Sequence, residues 1–326
     1  MTSDNPMHGW ESVGPYVEGV PSAAVTALAV SQQALCVGTD KGMLRTPLPI
    51  PGPDWPTASG EEKWAFTGNY VVDIQAWASQ PSVLWRTRRF GTECATELST
   101  DAGRLWHRRG SFHDAIFAVH IDPDDYERVM HSFGRLGPEG EVLGVRTTDF
   151  GMFGGEWVEH EHGRFYTQLT ADLNVPGRIW MASGTNGLYS TDDFGVATDQ
   201  ATGEEANAVI VSGSRLLIGG DTIRYREDGE TVFHEAALKG ITGPVRVVAL
   251  AQYDTVLFAA TTSLESPGQP VTAGHGVLRS PDNGSTWQSI SGNLPTLDVH
   301  ALAVDPTEQY LYAGLWGGSV HRLPLT

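Results

Sequence analysis

The chain of 326 residues repeats one short motif, Ser-x-Asp-x-Gly-x-x-Trp, between pairs of apolar segments. The clearest copy occupies residues 280–287, and a close match occupies residues 99–106. In each copy the aspartate can fold its carboxylate back onto backbone N–H groups, and the glycine can take a backbone conformation that other residues adopt poorly. The tryptophan then begins the next strand and offers a large ring to the core. The motif therefore predicts a hairpin turn between two strands.

Weaker copies of this turn occur elsewhere in the chain. Residues 147–151 and 190–195 keep an aspartate and the glycine, and a further copy keeps only Asp228 and Gly229. Because the turn itself uses the carboxylate, we expect these side chains to be structural rather than catalytic. The residues assigned to this structural role are Ser99, Asp101, Gly103, Trp106, Asp149, Gly151, Asp192, Ser280, Asp282, Gly284 and Trp287.

Short apolar strands recur around these turns in seven units, which begin roughly 40 to 55 residues apart, the spacing of four-stranded propeller blades. The last unit stops one strand short. Residues 10–13 resemble residues 287–290, which form the final strand of the sixth unit, so they can supply the missing strand. We therefore predict an all-β fold, a single seven-bladed β-propeller over residues 1–326 whose last blade is closed by the N-terminal strand. A sandwich or a long solenoid is disfavoured, because neither needs its two ends to pair. The predicted blades are residues 25–68, 71–109, 115–160, 165–199, 206–235, 245–291, and 299–325 together with 10–13.

The charge of the chain limits its partners. The net charge is −18, and the lysines are only Lys41, Lys63 and Lys239. This composition resembles that of proteins from salt-loving archaea, although an ordinary acidic soluble protein is the alternative. Such a field opposes nonspecific binding to nucleic acid, so we expect no nucleic-acid partner. No apolar run approaches the length of a membrane span, and the first residues lack a secretory signal pattern, which favours the cytoplasm. We also expect a monomer.

The residue types that bind metals or cofactors show no diagnostic spacing. Cys36 and Cys94 alone form no disulfide framework or zinc site. His120 and His131, like His275 and His300, have no metal-ligand spacing, so we expect no metal. The chain also contains no nucleophile elbow, phosphate loop or dinucleotide fingerprint, and we expect no cofactor.

We predict that the ligand site lies at one mouth of the central channel. In a propeller, the loops between blades and those joining second to third strands share one face, whereas the Ser-x-Asp-x-Gly turns lie on the other. Loops on the first face are expected to carry arginines, which suit carboxylate or phosphate recognition because the guanidinium binds bidentately. The alternative is that these arginines pair with neighbouring acids such as Glu93 and Asp114. The predicted ligand-binding residues are Arg88, Arg89, Glu93, Asp114, Arg135, Arg164, Tyr166, Arg246, His275, His300 and Trp316.

The repeated turn resembles the Asp-box of BNR and sortilin-like repeat proteins, and the resemblance extends over essentially the whole chain. A single ring without catalytic motifs resembles the photosystem II assembly-factor-like proteins. This resemblance implies a non-enzymatic binding or assembly role, here for an anionic protein, peptide or sugar.

A glycoside hydrolase is the alternative function, because sialidases and several glycosidases share the same turn. Sialidases usually show an Arg-Ile-Pro motif and six blades, and this chain has neither. It does have arginines and Tyr166, the residue types that sialidases use for the substrate carboxylate and the nucleophile. Candidate members of a carboxylate pair are Asp73, Glu93, Asp114, Asp221 and Asp298.

Overall fold

The computed structural model of the chain describes residues 9–14, 24–50, 70–138, 140–148, 156–263 and 274–325. Within these ranges every regular element is a β-strand, and the strands form seven separate sheets. The fourth strand predicted for the first blade, at residues 63–66, lies outside the described residues, as do Asp149 and Gly151.

Each sheet is one blade, and the strands follow the chain order. Strand β1 (Glu11–Gly14) belongs to blade 7. Blade 1 contains β2 (Val25–Val30), β3 (Ala34–Thr39) and β4 (Gly42–Pro47), and blade 2 contains β5 (Tyr70–Ala76), β6 (Leu84–Phe90), β7 (Glu93–Ser99) and β8 (His107–Phe112). Blade 3 contains β9 (Ala115–Ile121), β10 (Val129–Gly137), β11 (Gly140–Thr148) and β12 (Val158–Glu161), and blade 4 contains β13 (Gln168–Ala171), β14 (Ile179–Ala182), β15 (Leu188–Thr191) and β16 (Asp199–Thr202).

The remaining blades complete the ring. Blade 5 contains β17 (Ala208–Ser212), β18 (Arg215–Gly219), β19 (Ile223–Glu227) and β20 (His234–Glu235). Strand β21 (Ala237–Lys239) pairs in parallel with the outer strand of blade 6, which also contains β22 (Val247–Tyr253), β23 (Val256–Thr261), β24 (Val277–Ser280) and β25 (Thr286–Ser289). Blade 7 contains β26 (Val299–Asp305), β27 (Tyr310–Leu315) and β28 (Ser319–Pro324).

The seven sheets close into a ring through their first strands. Strands β2, β5, β9, β13, β17, β22 and β26 each contact the next in the series, and β26 contacts β2. Strand β1 pairs antiparallel with β28, where Glu11 lies opposite Arg322. The predicted seven-bladed propeller, closed by the N-terminal strand, is therefore confirmed.

Apolar side chains fill the spaces between adjacent blades. One such cluster joins Met130 and Val145 of blade 3 to Leu169, Met181 and Phe194 of blade 4. Close packing also needs glycine on second strands. A Cβ on Gly219 would lie 2.3 Å from a methyl carbon of a valine on the first strand of the next blade, and Gly38 and Gly314 make the same approach. The spacing between blades thus depends on residues without side chains.

Polar side chains tie neighbouring first strands together. The Thr26 hydroxyl donates to the carbonyl of Val71 at 2.6 Å, and the backbone N–H of Val119 donates to Asp73 Oδ2 at 2.9 Å. The amide oxygen of Gln168 likewise accepts the N–H of Val209 at 2.8 Å. These bonds satisfy backbone groups that the inner edge of each sheet leaves without a partner strand.

The turn after β7 holds its shape through its own side chains. Ser99 Oγ donates to Asp101 Oδ1 at 2.8 Å and accepts the N–H of Gly103 at 2.9 Å. Asp101 Oδ1 also accepts the N–H of Leu105 at 2.9 Å. Gly103 has φ +82°, a conformation that favours glycine. The turn after β24 repeats this pattern with Ser280, Asp282 and Gly284.

Blade 4 uses Asp193, and not the predicted Asp192, as the carboxylate of its turn. Thr191 Oγ1 donates to Asp193 Oδ1 at 2.7 Å and accepts the N–H of Gly195 at 2.9 Å. The turn needs a hydroxyl two residues before the carboxylate, and Thr191 provides it for Asp193. The assignment of Asp192 was therefore one residue out of register. Asp192 instead accepts two 2.8 Å hydrogen bonds from Arg178.

The two adjacent aspartates are expected to respond differently to substitution. Asp193→Ala removes acceptors for the Thr191 hydroxyl and the N–H of Ala197, so we expect a loss of about 1–2 kcal/mol of stability, as for a lost capping side chain. Asp192→Ala breaks an exposed ion pair and should cost about 0.5 kcal/mol or less. Urea denaturation of both variants measures the difference, and equal losses would contradict the reassignment.

Candidate functional site

Strand register places most of the predicted site residues on one face of the ring. Tyr70, which begins β5, lies opposite Arg89 near the end of β6. In the next blade, Ala115 begins β9 and lies opposite Gly134 on β10. First strands therefore begin where second strands end, and we call this side of the ring the connection face. The Ser/Thr-x-Asp-x-Gly turns lie at the other ends of the strands, on what we call the turn face.

Three of the five arginines predicted in loops of the connection face lie on strands instead, whereas Arg164 and Arg246 lie in loops as predicted. Arg88 and Arg89 belong to β6, which continues to Phe90 before a two-residue turn. Arg135 belongs to β10, which pairs with β11 up to Gly137. The hairpins are longer than expected because the backbone hydrogen bonds between their two strands continue almost to the turn. These charged residues therefore lie on strands, at the ends of the sheets.

A buried glutamate organises the arginines of blade 2. Glu97 is 3% exposed; Arg86 Nη2 lies 2.7 Å from its Oε2 and Arg88 Nη2 lies 2.6 Å from its Oε1. Burial alone would raise the pKa of Glu97, but the Arg88 hydrogen bond and the two positive charges outweigh burial and hold that pKa below its usual range. Arg88 is thus paired with an acid, as the alternative interpretation expected, although the acid is Glu97 and not Glu93.

A second network on blade 3 centres on Arg146, which sequence reasoning missed. Its guanidinium pairs with Asp114 and, at 2.8 Å, with Glu159, and its Cζ lies 4.1 Å from the Phe133 ring. Arg135 pairs with the same Glu159 at 2.7 Å. Asp114 and Arg135 are therefore brought together as predicted, but within a network of acids and arginines that balance one another. Arg146 lies on β11 and is 4% exposed, and its local sequence pattern did not indicate it.

Blade 2, by contrast, keeps a surplus of positive charge. Strands β6, β7 and β8 carry five arginines and two glutamates, in a chain of net charge −18. Arg89 and Arg108 are exposed. Arg88 and Arg108 place their Cζ atoms 4.8 and 4.9 Å from the ring of Phe90. Sequence reasoning missed Arg108. It lies two residues after the turn tryptophan Trp106 and opposite Glu97 on the neighbouring strand, and its nearness to that tryptophan is the signal that could have found it.

Tyr166 is not accessible to a ligand, which corrects its assignment to the site. The residue is 0% exposed, and its hydroxyl lies 3.0 Å from His162 Nδ1. Burial raises the pKa of Tyr166 to about 12, the opposite of what a nucleophile needs. Arg164 covers Tyr189, with 4.0 Å between Cζ and the ring centroid, and donates to Thr198 Oγ1 at 3.4 Å.

The predicted residues His300 and Trp316 do come together. Their rings stack with 4.7 Å between centroids, and Trp316 is 41% exposed. His300 Nε2 lies 3.1 Å from both Asp298 Oδ1 and Thr262 Oγ1. Burial lowers the pKa of His300, and the charge of Asp298 only partly opposes this effect, so the ring is a neutral support for the exposed indole.

The other predicted residues take less central positions. Glu93 begins β7 and is half-buried. His275 is half-buried, with its Nε2 3.2 Å from the carbonyl of Pro244. Arg246 precedes β22, and its carbonyl accepts the N–H of Thr262 at 3.0 Å. Among the described residues, the predicted site residues thus fall into separate groups, around Glu97, around Asp114, around Asp298 and around Tyr166, and not into one shared cluster.

The described ranges contain neither a cluster of metal-ligating side chains nor a membrane-spanning helix. No group of three or more His, Cys, Asp and Glu side chains in this part of the chain is placed to hold a metal ion. Within the same ranges, no helix is long and apolar enough to cross a membrane.

Comparisons with solved structures show the fold. YCF48 from Cyanidioschyzon merolae superimposes with a TM-score of 0.65 at 13% identity, covering 97% of this chain and 99% of that one. The computationally designed Ika8 protein superimposes with a TM-score of 0.57 at 14% identity, covering 94% and 98%. At these identities the likeness is one of fold alone.

Sequence comparison gives a weaker relationship. No protein-family model matches the chain. A probable oligoxyloglucan-reducing end-specific xyloglucanase from Neosartorya fischeri is 29% identical over 159 residues. That match covers 44% of this chain, and the chain spans 15% of the length of the curated relative.

Proposed function

We propose that this propeller is a non-enzymatic binding or scaffold module that recognises an acidic segment of a partner protein on its connection face. The observation that carries the proposal is the surplus of arginine on β6 to β8, with Arg89 and Arg108 exposed and Arg108 beside the Phe90 ring. The shared fold with YCF48 is consistent with a binding role, and the turns after β7, β15 and β24 are interpreted as Asp-boxes.

The chemistry of this surface suits carboxylates. Glu97 is already shared by two arginines, so the exposed guanidinium groups of Arg89 and Arg108 are the ones that can reach a ligand. Guanidinium groups can bind carboxylates through two parallel hydrogen bonds. Because the rest of the chain is strongly acidic, an acidic partner is repelled elsewhere and is directed to this blade.

Substitution of the two exposed arginines tests this proposal. We expect the double variant Arg89→Ala/Arg108→Ala to bind a fluorescein-labelled octaglutamate peptide at least roughly tenfold more weakly than the wild type at low ionic strength, since about 1.4 kcal/mol of charge-assisted hydrogen bonding is lost. Fluorescence anisotropy measures the affinity. The matched control is Arg104→Ala, an exposed arginine of the same blade on the turn face. Equal affinities for the double variant and the wild type would refute the proposal.

A glycoside hydrolase is the second candidate, favoured by the partial match to the xyloglucanase and by Asp73. Burial raises the pKa of Asp73 to about 6, although the N–H groups of Val119 and Ile74 oppose the shift. A general acid needs such a raised pKa. The pKa of Asp298 is instead lowered: burial would raise it, but the hydrogen bonds from Thr262 and Ser263, together with the charge of His300, outweigh burial. Release of reducing ends from xyloglucan oligosaccharides by the wild type, abolished in Asp73→Asn, would favour hydrolysis over simple binding.

A further inference from the structure

A cavity of about 310 Å³ lies between blades 3 and 4 on the turn face, away from the arginine-rich surface of blade 2. Three segments form it: the loop from β9 to β10, the loop from β13 to β14, and the turn after β15. Its volume falls at the lower end of the range for small-molecule sites, roughly 300–1,000 Å³. The cavity therefore has room for a single small ring compound.

The polar groups of the cavity are fixed in pairs. Arg128 donates to Asp122 Oδ2 at 3.0 Å, and its Cζ lies 4.0 Å from the centroid of the Phe194 ring. On the other side, Arg178 makes two 2.8 Å hydrogen bonds to Asp192. Each pair presents hydrogen-bond donors and acceptors side by side. A ligand group that both donates and accepts can use such a pair without breaking it.

A buried histidine in the cavity wall has an unused ring nitrogen. His120 is 4% exposed, and its Nε2 has no hydrogen-bond partner among the described residues. Its ring centroid lies 6.5 Å from that of Phe194, which also lines the cavity. Burial lowers the pKa of His120 to about 4, and Asp122 only partly opposes this effect, so the ring is neutral at neutral pH. This nitrogen has less than 1 Å² of accessible surface, so a ligand hydroxyl reaches it only through a small shift of the surrounding wall. A hydroxyl can then pair with it whichever ring position carries the proton, since a hydroxyl can donate or accept.

The charges of the wall select against ions. Four aspartates and two arginines line the cavity, which leaves an excess of negative charge that opposes anions. A cation would meet the guanidinium groups of Arg128 and Arg178, and both oxygens of Asp172 already accept hydrogen bonds, from Trp180 and Asn174. Apolar surface comes from Pro123, Pro176 and Leu173. A sugar ring carries hydroxyl groups around its edge and C–H groups on its faces. The paired aspartates and arginines suit the hydroxyl groups, and the apolar patches suit the C–H groups.

We propose that this cavity is a binding site for an uncharged polyhydroxylated ligand the size of one sugar unit. The paired aspartates and arginines hold its hydroxyl groups, His120 lies in the wall as a neutral hydrogen-bonding group, and the prolines with Leu173 cover its C–H surface. The site is independent of the connection face and of the binding function proposed there.

Saturation-transfer NMR on the full chain tests the site. The probes are the methyl glycosides of glucose, galactose, mannose and xylose, together with myo-inositol. We expect at least one probe to receive saturation. His120→Leu should weaken its binding about tenfold through loss of a buried polar partner. Ala171→Phe, which adds a ring at a residue lining the cavity, should abolish binding.

Controls separate a ligand-binding role of His120 from a structural one. His321 is a second buried histidine with an unpartnered ring nitrogen, in blade 7, so His321→Leu should leave binding unchanged. Thermal melts should show that His120→Leu folds as stably as the wild type, because it removes a buried polar group that has no partner. The proposal is overturned if no probe binds, if methylguanidinium binds in place of every polyol, or if His120→Leu and Ala171→Phe both bind like the wild type.

Discussion

Replacing Trp10 by alanine is expected to lower the free energy of unfolding by about 3–5 kcal/mol. Trp10 is 4% exposed and packs with Phe258, Ile290 and Leu294. Its indole N–H donates to the carbonyl of Ile290 at 2.8 Å, and its backbone N–H donates to Asn293 Oδ1 at 2.8 Å. The side chain therefore holds the N-terminal strand against blade 6 while that strand completes blade 7. Its loss weakens the one place where the ring is closed by pairing of the two chain ends.

Urea denaturation of Trp10→Ala measures this effect. The control is Trp316→Ala, which removes the same side chain from a position that is 41% exposed and should cost about 1 kcal/mol or less. Equal losses for the two variants would mean that the closing strand contributes little to stability. Truncation up to Gly14 should be more damaging still, because it also exposes the backbone edge of β28.

Replacing Arg146 by methionine is expected to cost about 3–5 kcal/mol, the effect of breaking a buried ion pair. The side chain of Asp114 is only 3% exposed and pairs with Arg146, whereas the guanidinium of Arg135 is 3.9 Å away. Methionine keeps most of the packing against Phe112 and Phe133 but leaves the Asp114 carboxylate without its main partner. The cost comes from the uncompensated buried charge and not from the attraction itself.

A second substitution distinguishes this cause from a packing defect. Arg146→Met/Asp114→Asn should recover much of the lost stability, since the buried charge is then absent. Arg135→Met is the matched control: its side chain is 32% exposed, and we expect a change of about 1 kcal/mol or less. If the double variant is no more stable than Arg146→Met, the unpaired carboxylate is not the cause.

The anionic character of the ligand stays a prediction, as does the interpretation of the acidic composition as that of a salt-loving organism. For the candidate site, the sequence identified His300 with Trp316, and Arg135 with Asp114, as neighbours on one face. It did not identify Arg146, Glu97 or Arg108. Each lies inside a strand, where the sequence pattern predicts that a charged residue is an ordinary solvent-exposed side chain. It included Tyr166, whose burial depends on the packing of blade 4 against blade 3.

The sequence by itself determined the number of blades, the closing strand and most of the turns. These features depend on residues close together in the chain: a hydroxyl, a carboxylate and a glycine within five positions form the turn after β7. Even there, adjacent aspartates in blade 4 left two registers open, and only the hydrogen bonds of Thr191 decided between them. The tertiary structure alone decided which charges are neutralised and where a cavity opens. Arg146 lies 32 residues from Asp114, and the cavity walls come from two blades, so their meeting depends on how strands pair and blades pack.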